Sequence, residues 1–182
     1  MSHDEVYERA LAPLRGIRVR DVQLPGFIDR DHPLTRFSPM RSSVYLALDD
    51  GYVRIDSLGG HGQLAFRPRE DSAPAPLPHW DLDDDEFAVG SYGDDHLGGD
   101  GNLVAVTGVR YALNDESDRT TGTVRAAEIR FEYGGVLFLD PMYIQGIRLQ
   151  GHGAYDRWLA WERQDAHTRS VFGPLEEHTW TP

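Results

Sequence analysis

The sequence predicts an α+β fold dominated by antiparallel sheet, with a short helix near the N-terminus and an amphipathic helix near the C-terminus. Three observations carry this. Short apolar runs alternate with turn residues along most of the chain, and Asp49-Asp50-Gly51 and Gly134-Gly135 stand between β-rich runs as hairpin turns do. Ser2-His3-Asp4-Glu5 has the Ser-x-x-Glu form of a capping box, ahead of Val6, Ala10, Leu11 and Leu14 at helical spacing. Near the other end, Ala154, Tyr155, Trp158, Leu159 and Trp161 form an apolar stripe, with Asp165 and Arg169 one turn apart on the outside.

Taken in order, residues 3–14 read as a helix that stops at Gly16. Residues 17–22 alternate apolar and polar side chains, the pattern of a half-buried strand. Pro25, Gly26, Pro33 and Pro39 make residues 24–42 a loop, anchored by Phe27, Phe37 and Met40. Residues 44–48 and 52–55 form the first hairpin, and Gly59-Gly60-His61-Gly62 turns the chain into a strand at 63–66. Pro68, Pro74, Pro76 and Pro78 interrupt residues 67–102, which read as a surface segment or a linker. Strands resume at 103–106 and 109–113, a second hairpin joins 127–133 to 136–139, and residues 144–149 give another strand. A helix covers 154–168. The tail after Gly173-Pro174 reads as irregular, with Glu176-Glu177-His178 in solvent.

The length fits one domain spanning residues 1–182. Within it, Gly51, Val53, Ile55, Asp56 and Gly62 line up with Gly135, Leu137, Leu139, Asp140 and Gly146. This suggests a pseudo-repeat of residues 15–67 and 103–150, joined by the acidic Pro/Gly-rich segment 68–102. The other reading is that any two hairpins of an antiparallel protein look alike; the residues leave both open.

Composition narrows the function classes. All 18 basic residues are Arg, 30 residues are Asp or Glu, and the formal net charge is −12. The chain has no Cys, which removes disulfides, thiolate metal sites and Cys nucleophiles. Phosphate contacts need clustered cations, so this charge disfavours nucleic acid and anionic membrane surfaces. No apolar run approaches the ~20 residues that cross a bilayer, and the polar start lacks the apolar core of a secretory signal. A cytoplasmic location is the default expectation.

The negative charge is concentrated. From Asp71 to Asp100 there are nine acidic residues and no basic one. Concentrated carboxylates steer association with a positive surface. The expected function is therefore non-catalytic binding or inhibition of a basic protein partner, such as a toxin or nuclease. Immunity proteins work in this way; the likeness is one of class, because no motif identifies a family. The expected contact residues are Asp81, Asp83, Asp84, Asp85, Glu86, Asp94 and Asp95, with Trp80 as an aromatic anchor. A homo-oligomer through exposed sheet edges is a further option.

Motifs for chemistry are thin. No catalytic residues are assigned and no cofactor is expected. His79-Trp80-Asp81, with His152 as a third ligand, has the form of a two-His, one-carboxylate metal site, but a match this short arises readily by chance. A small metal-dependent enzyme or ligand-binding protein using the His79/Asp81 region is the alternative function. Asp81, Asp83 and Asp85 alternate like calcium-loop ligands. The sixth position of such a loop is Glu86 instead of Gly, however, and the twelfth is Tyr92 instead of Glu. Gly90-Ser91-Tyr92-Gly93 lacks the glycine of a nucleophile elbow, since Val89 stands there. His61 between glycines reads as a turn residue. Trp158 and Trp161 with Tyr155 read as core at helical spacing, or else as a ligand platform.

Overall fold

The computed structural model describes residues 3–30, 34–58, 60, 62–76, 86–98 and 103–182, with side chains from residue 5 onward. The fold is mainly antiparallel sheet, with a short N-terminal helix and helices near the C-terminus. Strand β1 (Arg18–Asp29) is twice the length expected and organises the rest. Its first half pairs on one side with β3 (Ser43–Leu48) and on the other with β7 (Val104–Leu113), the latter through Arg18↔Ala105 and Val19↔Val104. Its second half pairs with β2 (Arg36–Pro39) and β6 (Glu86–Ser91), forming a three-stranded arm.

This corrects the loop expected over 24–42 and the unstructured segment expected over 67–102, because β2 and β6 lie within them. Pro25 and Gly26 suggested a loop, yet both belong to β1. In a strand the N–H and C=O of one residue face the same neighbour. The Pro25 carbonyl accepts from Met40 N (2.8 Å), in the break between β2 and β3, so its missing N–H removes no ladder bond there. Gly26 is needed for contact: a Cβ there would lie 2.5 Å from the Phe37 ring, and one on Gly90 would lie 2.6 Å from Phe37 Cε1. The Phe37 ring thus lies against two glycines on neighbouring strands.

From β1 the sheet runs β3, β4 (Tyr52–Leu58), β5 (Gln63–Phe66) in one direction and β7, β8 (Ala126–Phe131), β9 (Val136–Pro141), β10 (Ile147–Gln150) in the other. Residues 15–67 and 103–150 therefore each supply a run of strands that pair in chain order. The sheet curls until β5 meets the approach to β8: Leu64 N donates to Val124 O (2.7 Å) and Val124 N to Leu64 O (3.1 Å). Inside the curl lie Val19, Val22, Leu46, Val53, Ile55, Leu64, Ile129, Leu137 and Leu139, all buried.

Helix α1 (His3–Leu11) closes one end of this core with Tyr7 and Leu11, and Leu14 follows from a 3-10 turn (Ala12–Leu14) where Pro13 ends the α-helix. The expected helix over 154–168 is two helices, α3 (Ala154–Gln164) and α4 (Ala166–Phe172). Asp165 breaks the run because its carboxylate accepts from His167 N (2.9 Å) and so caps a new helix. The tail is also corrected: β11 (Glu176–Trp180) pairs with β7. Trp180 is buried and its indole N–H donates to Glu8 (2.9 Å), and His178 stacks on Tyr111. No helix among the described residues is long and apolar enough to cross a membrane.

Candidate functional site

Two regions carry the charge of interest. The first is the arm with helix α2 (Gly93–His96), where the expected partner-binding residues fall. Glu86 opens β6 at the arm's tip, is exposed, and forms an ion pair with Arg30. Asp94 and Asp95 stand exposed on α2. Asp21 of β1 fastens that short helix by accepting from Gly93 N and Ser91 Oγ, both at 2.9 Å. Trp80, Asp81, Asp83, Asp84 and Asp85 lie outside the described residues, as do His61 and His79. The arm is lightly covered: Phe27, Phe37 and Phe87 are half-buried and Val89 is exposed.

His152, the third ligand expected beside His79 and Asp81, is exposed just before α3. Among the described residues, no three His, Asp or Glu side chains come close enough together to hold a metal ion.

The second region lies where α3 covers β7, β8 and β9. Ala112, Ala126, Phe138, Ala154, Tyr155, Trp158 and Leu159 form a small apolar core of their own there. Charged side chains are buried within the same layer. The Arg125 guanidinium donates to Glu162 Oε1 (2.8 Å) and Pro141 O (3.3 Å) and pairs with Asp140 (3.5 Å). It also lies over the rings of Trp158 (5.3 Å) and Tyr143 (5.7 Å). Arg148 of β10 reaches the other Asp140 oxygen at 2.6 Å. The result is a chain of alternating charge, Glu162–Arg125–Asp140–Arg148. Burial pushes the Glu162 carboxyl above its usual range despite the pull of Arg125, and its Oε2 has no hydrogen-bond partner.

Arg110 forms a second such knot. It bonds Asp156 of α3 (2.8 Å) and Glu177 of β11 (2.9 Å), lies 3.6 Å from buried Glu128, and stacks over Tyr155 at 4.4 Å. It ties α3 and β11 to the sheet.

None of these buried charges was among the expected site residues. One signal was present in the sequence: Glu162 is seven residues beyond Tyr155, on the same stripe as Trp158 and Leu159, so it faces inward. Trp161, expected on the same stripe, points outward instead and is 60% exposed.

Concave space lies beside this layer. A cavity of about 230 Å³ is lined by Arg125, Asp140, Tyr143, Trp158, Trp161 and Glu162 among others. Another of about 200 Å³ is lined by Arg148, Gln150, Ala154, Arg157, Trp158 and Trp161. A larger one, about 560 Å³, is lined by Arg41, Tyr92, His96 and Arg148 among others. His96 is buried, and burial lowers its pKa, opposed by the bond from its Nδ1 to Val136 O (3.3 Å). A carbonyl only accepts, so Nδ1 carries the proton in this arrangement.

Comparison with known proteins gives no match: no protein family, no curated protein and no solved structure resembles this chain.

Proposed function

We propose that this is a non-catalytic binding protein that docks a basic surface of a partner protein through the acidic face formed by the arm and α2. The observation that carries the reading is the distribution of the arginines. Most of them are engaged by carboxylates of the same chain, as in Arg18–Glu132, Arg20–Asp49, Arg30–Glu86, Arg69–Asp50 and Arg119–Glu176. Asp94 and Asp95 have no arginine partner among the described residues, and they are exposed. The exposed carboxylates of this face are thereby left to attract a positive surface and speed encounter at low salt. The half-buried phenylalanines of the arm supply apolar area beside that charge.

Residues 80–85 run directly into Glu86 in the sequence, and the proposal keeps them among the contact residues, with Trp80 as anchor. The shared strand order of 15–67 and 103–150 also fits descent from a duplicated unit.

The test is capture of a basic partner from the native cell over a salt series. The Asp83→Asn/Asp84→Asn/Asp85→Asn and Asp94→Asn/Asp95→Asn variants are expected to weaken capture and flatten its salt dependence at an unchanged melting temperature. Capture by both variants as strong as the parent's, or parent capture indifferent to salt, would overturn the reading.

A further inference from the structure

We infer that the cleft between β10 and α3 is a binding site for a small organic anion that carries a flat ring, an aryl or heterocyclic phosphate. The two cavities of about 230 and 200 Å³ share Arg148, Trp158 and Trp161, so they are two parts of one cleft. Together they reach the size of small-molecule sites. Three observations set the class of occupant.

The first is cation supply. In a chain where arginines are mostly held by carboxylates, Arg157 has neither an ion pair nor a side-chain hydrogen bond among the described residues, and it lines this cleft. Arg148 beside it is held by Asp140 on one side only, and its side chain is 46% exposed, which leaves donors for a ligand. Two guanidinium groups in one recess suit a phosphate, which accepts several charge-assisted hydrogen bonds. On a molecule of net charge −12, this is a local reversal of sign.

The second is the ring surface. Trp161 is a large aromatic side chain left exposed on α3, next to Arg157 and Arg148 in the cleft wall. An exposed indole face beside cations stacks a flat ring while the phosphate meets the guanidinium groups. Asp156, paired with Arg110, already ties α3 to the sheet, so Trp161 and Arg157 are not needed to pin the helix.

The third is a polar remainder in the inner wall. The Trp158 indole N–H is buried with no partner, and Glu162 keeps an unpartnered oxygen, whereas buried polar groups are normally satisfied. Both residues line the inner cavity. An acceptor that reached the inner wall would satisfy the indole N–H; the Glu162 oxygen is itself an acceptor and marks where the anion does not sit.

The probes are AMP and phenyl phosphate, with adenosine and inorganic phosphate as the separate halves, followed by calorimetry and by tryptophan emission. AMP and phenyl phosphate are expected to bind saturably and to quench emission. Adenosine and inorganic phosphate are each expected to bind at least about tenfold more weakly, as a two-part site requires. Arg157→Gln is expected to weaken AMP binding by about tenfold or more and to reduce its salt dependence. Trp161→Ala is expected to weaken AMP binding and remove most of the quench. Both residues are exposed, so the variants should melt like the parent. Arg20→Gln, at an exposed arginine that lines neither cavity, should bind AMP unchanged. The proposal is overturned if neither AMP nor phenyl phosphate binds at millimolar concentration. It is equally overturned if inorganic phosphate binds as tightly as AMP, or if Arg157→Gln and Trp161→Ala both bind like the parent.

Discussion

Beneath α3, the buried carboxylates of Glu128, Asp140 and Glu162 each meet an arginine, Glu128 the largely covered Arg110 and the other two the buried Arg125. On α2, Asp94 and Asp95 stand exposed, with no arginine paired to them among the described residues. The difference follows from desolvation. Removing a charge from water costs several kcal/mol, so a buried carboxylate persists only with a cation and hydrogen bonds at hand. A solvated carboxylate needs neither, and remains open to an external partner. The α3 layer thus uses charge to fix how one helix seats on a sheet, whereas the α2 face keeps its charge for encounter.

The sharpest way to break this comparison is at Arg125. Arg125→Met removes the cation shared by Glu162 and Asp140 and is expected to destabilise the fold by about 3–5 kcal/mol, measured by urea unfolding. Adding Glu162→Gln to that variant should recover part of the loss, because it removes one uncompensated charge. A loss within experimental error for Arg125→Met would mean that the α3 layer does not depend on paired charge.

The arm comes next. Gly26→Ala places a methyl against Ser38 O and the Phe37 ring, both across the β1–β2 pairing. A loss of about 1–3 kcal/mol is expected in thermal unfolding, as for other overpacked sites. A smaller loss would show that the arm adjusts more freely than the α3 layer.

Protonation of His96 gives a smaller, pH-dependent effect. Its folded pKa lies below the ordinary 6.5, so the unfolded chain takes up the proton first. Its contribution is therefore complete above pH 6.5 and is lost as pH falls from there through the depressed folded value. His96→Asn, which keeps a donor for Val136 O, should flatten this branch of a stability-against-pH curve. An unchanged slope would remove His96 from the account.

The smallest stability effect is expected at α2. Asp94→Asn/Asp95→Asn should alter unfolding free energy by no more than about 0.5 kcal/mol, because solvated charges contribute little to folding. A large gain in stability would mean that repulsion at this face is already severe without a partner.

Much of the sheet was legible in the sequence. The Asp49-Asp50-Gly51 turn fixes the β3–β4 hairpin because Gly51 adopts φ +80°, and the alternation at 127–131 sends Ala127, Ile129 and Phe131 into the core. The helix stripe placed Tyr155 and Trp158 inward. The arm was hidden, because Pro25, Gly26 and Pro39 are loop residues by local propensity and pair only where the β2–β3 break and the Phe37 ring accept them. The α3 cleft was hidden for a related reason. Arg125, Asp140, Arg148, Arg157 and Glu162 are scattered along the chain, and no spacing rule connects them.

The sequence by itself determined the acidic balance, the hairpins, the helical stripe and the crowding of carboxylates between Asp71 and Asp100. These depend on covalent neighbours and on side-chain period, which are written in order along the chain. Only the tertiary structure decided which arginines are occupied and which are left over. Pairing across the curled sheet depends on distance and on shared burial. That is why Arg125 ends deep beside Glu162 while Arg157, on the same side of the fold, is left facing a cleft.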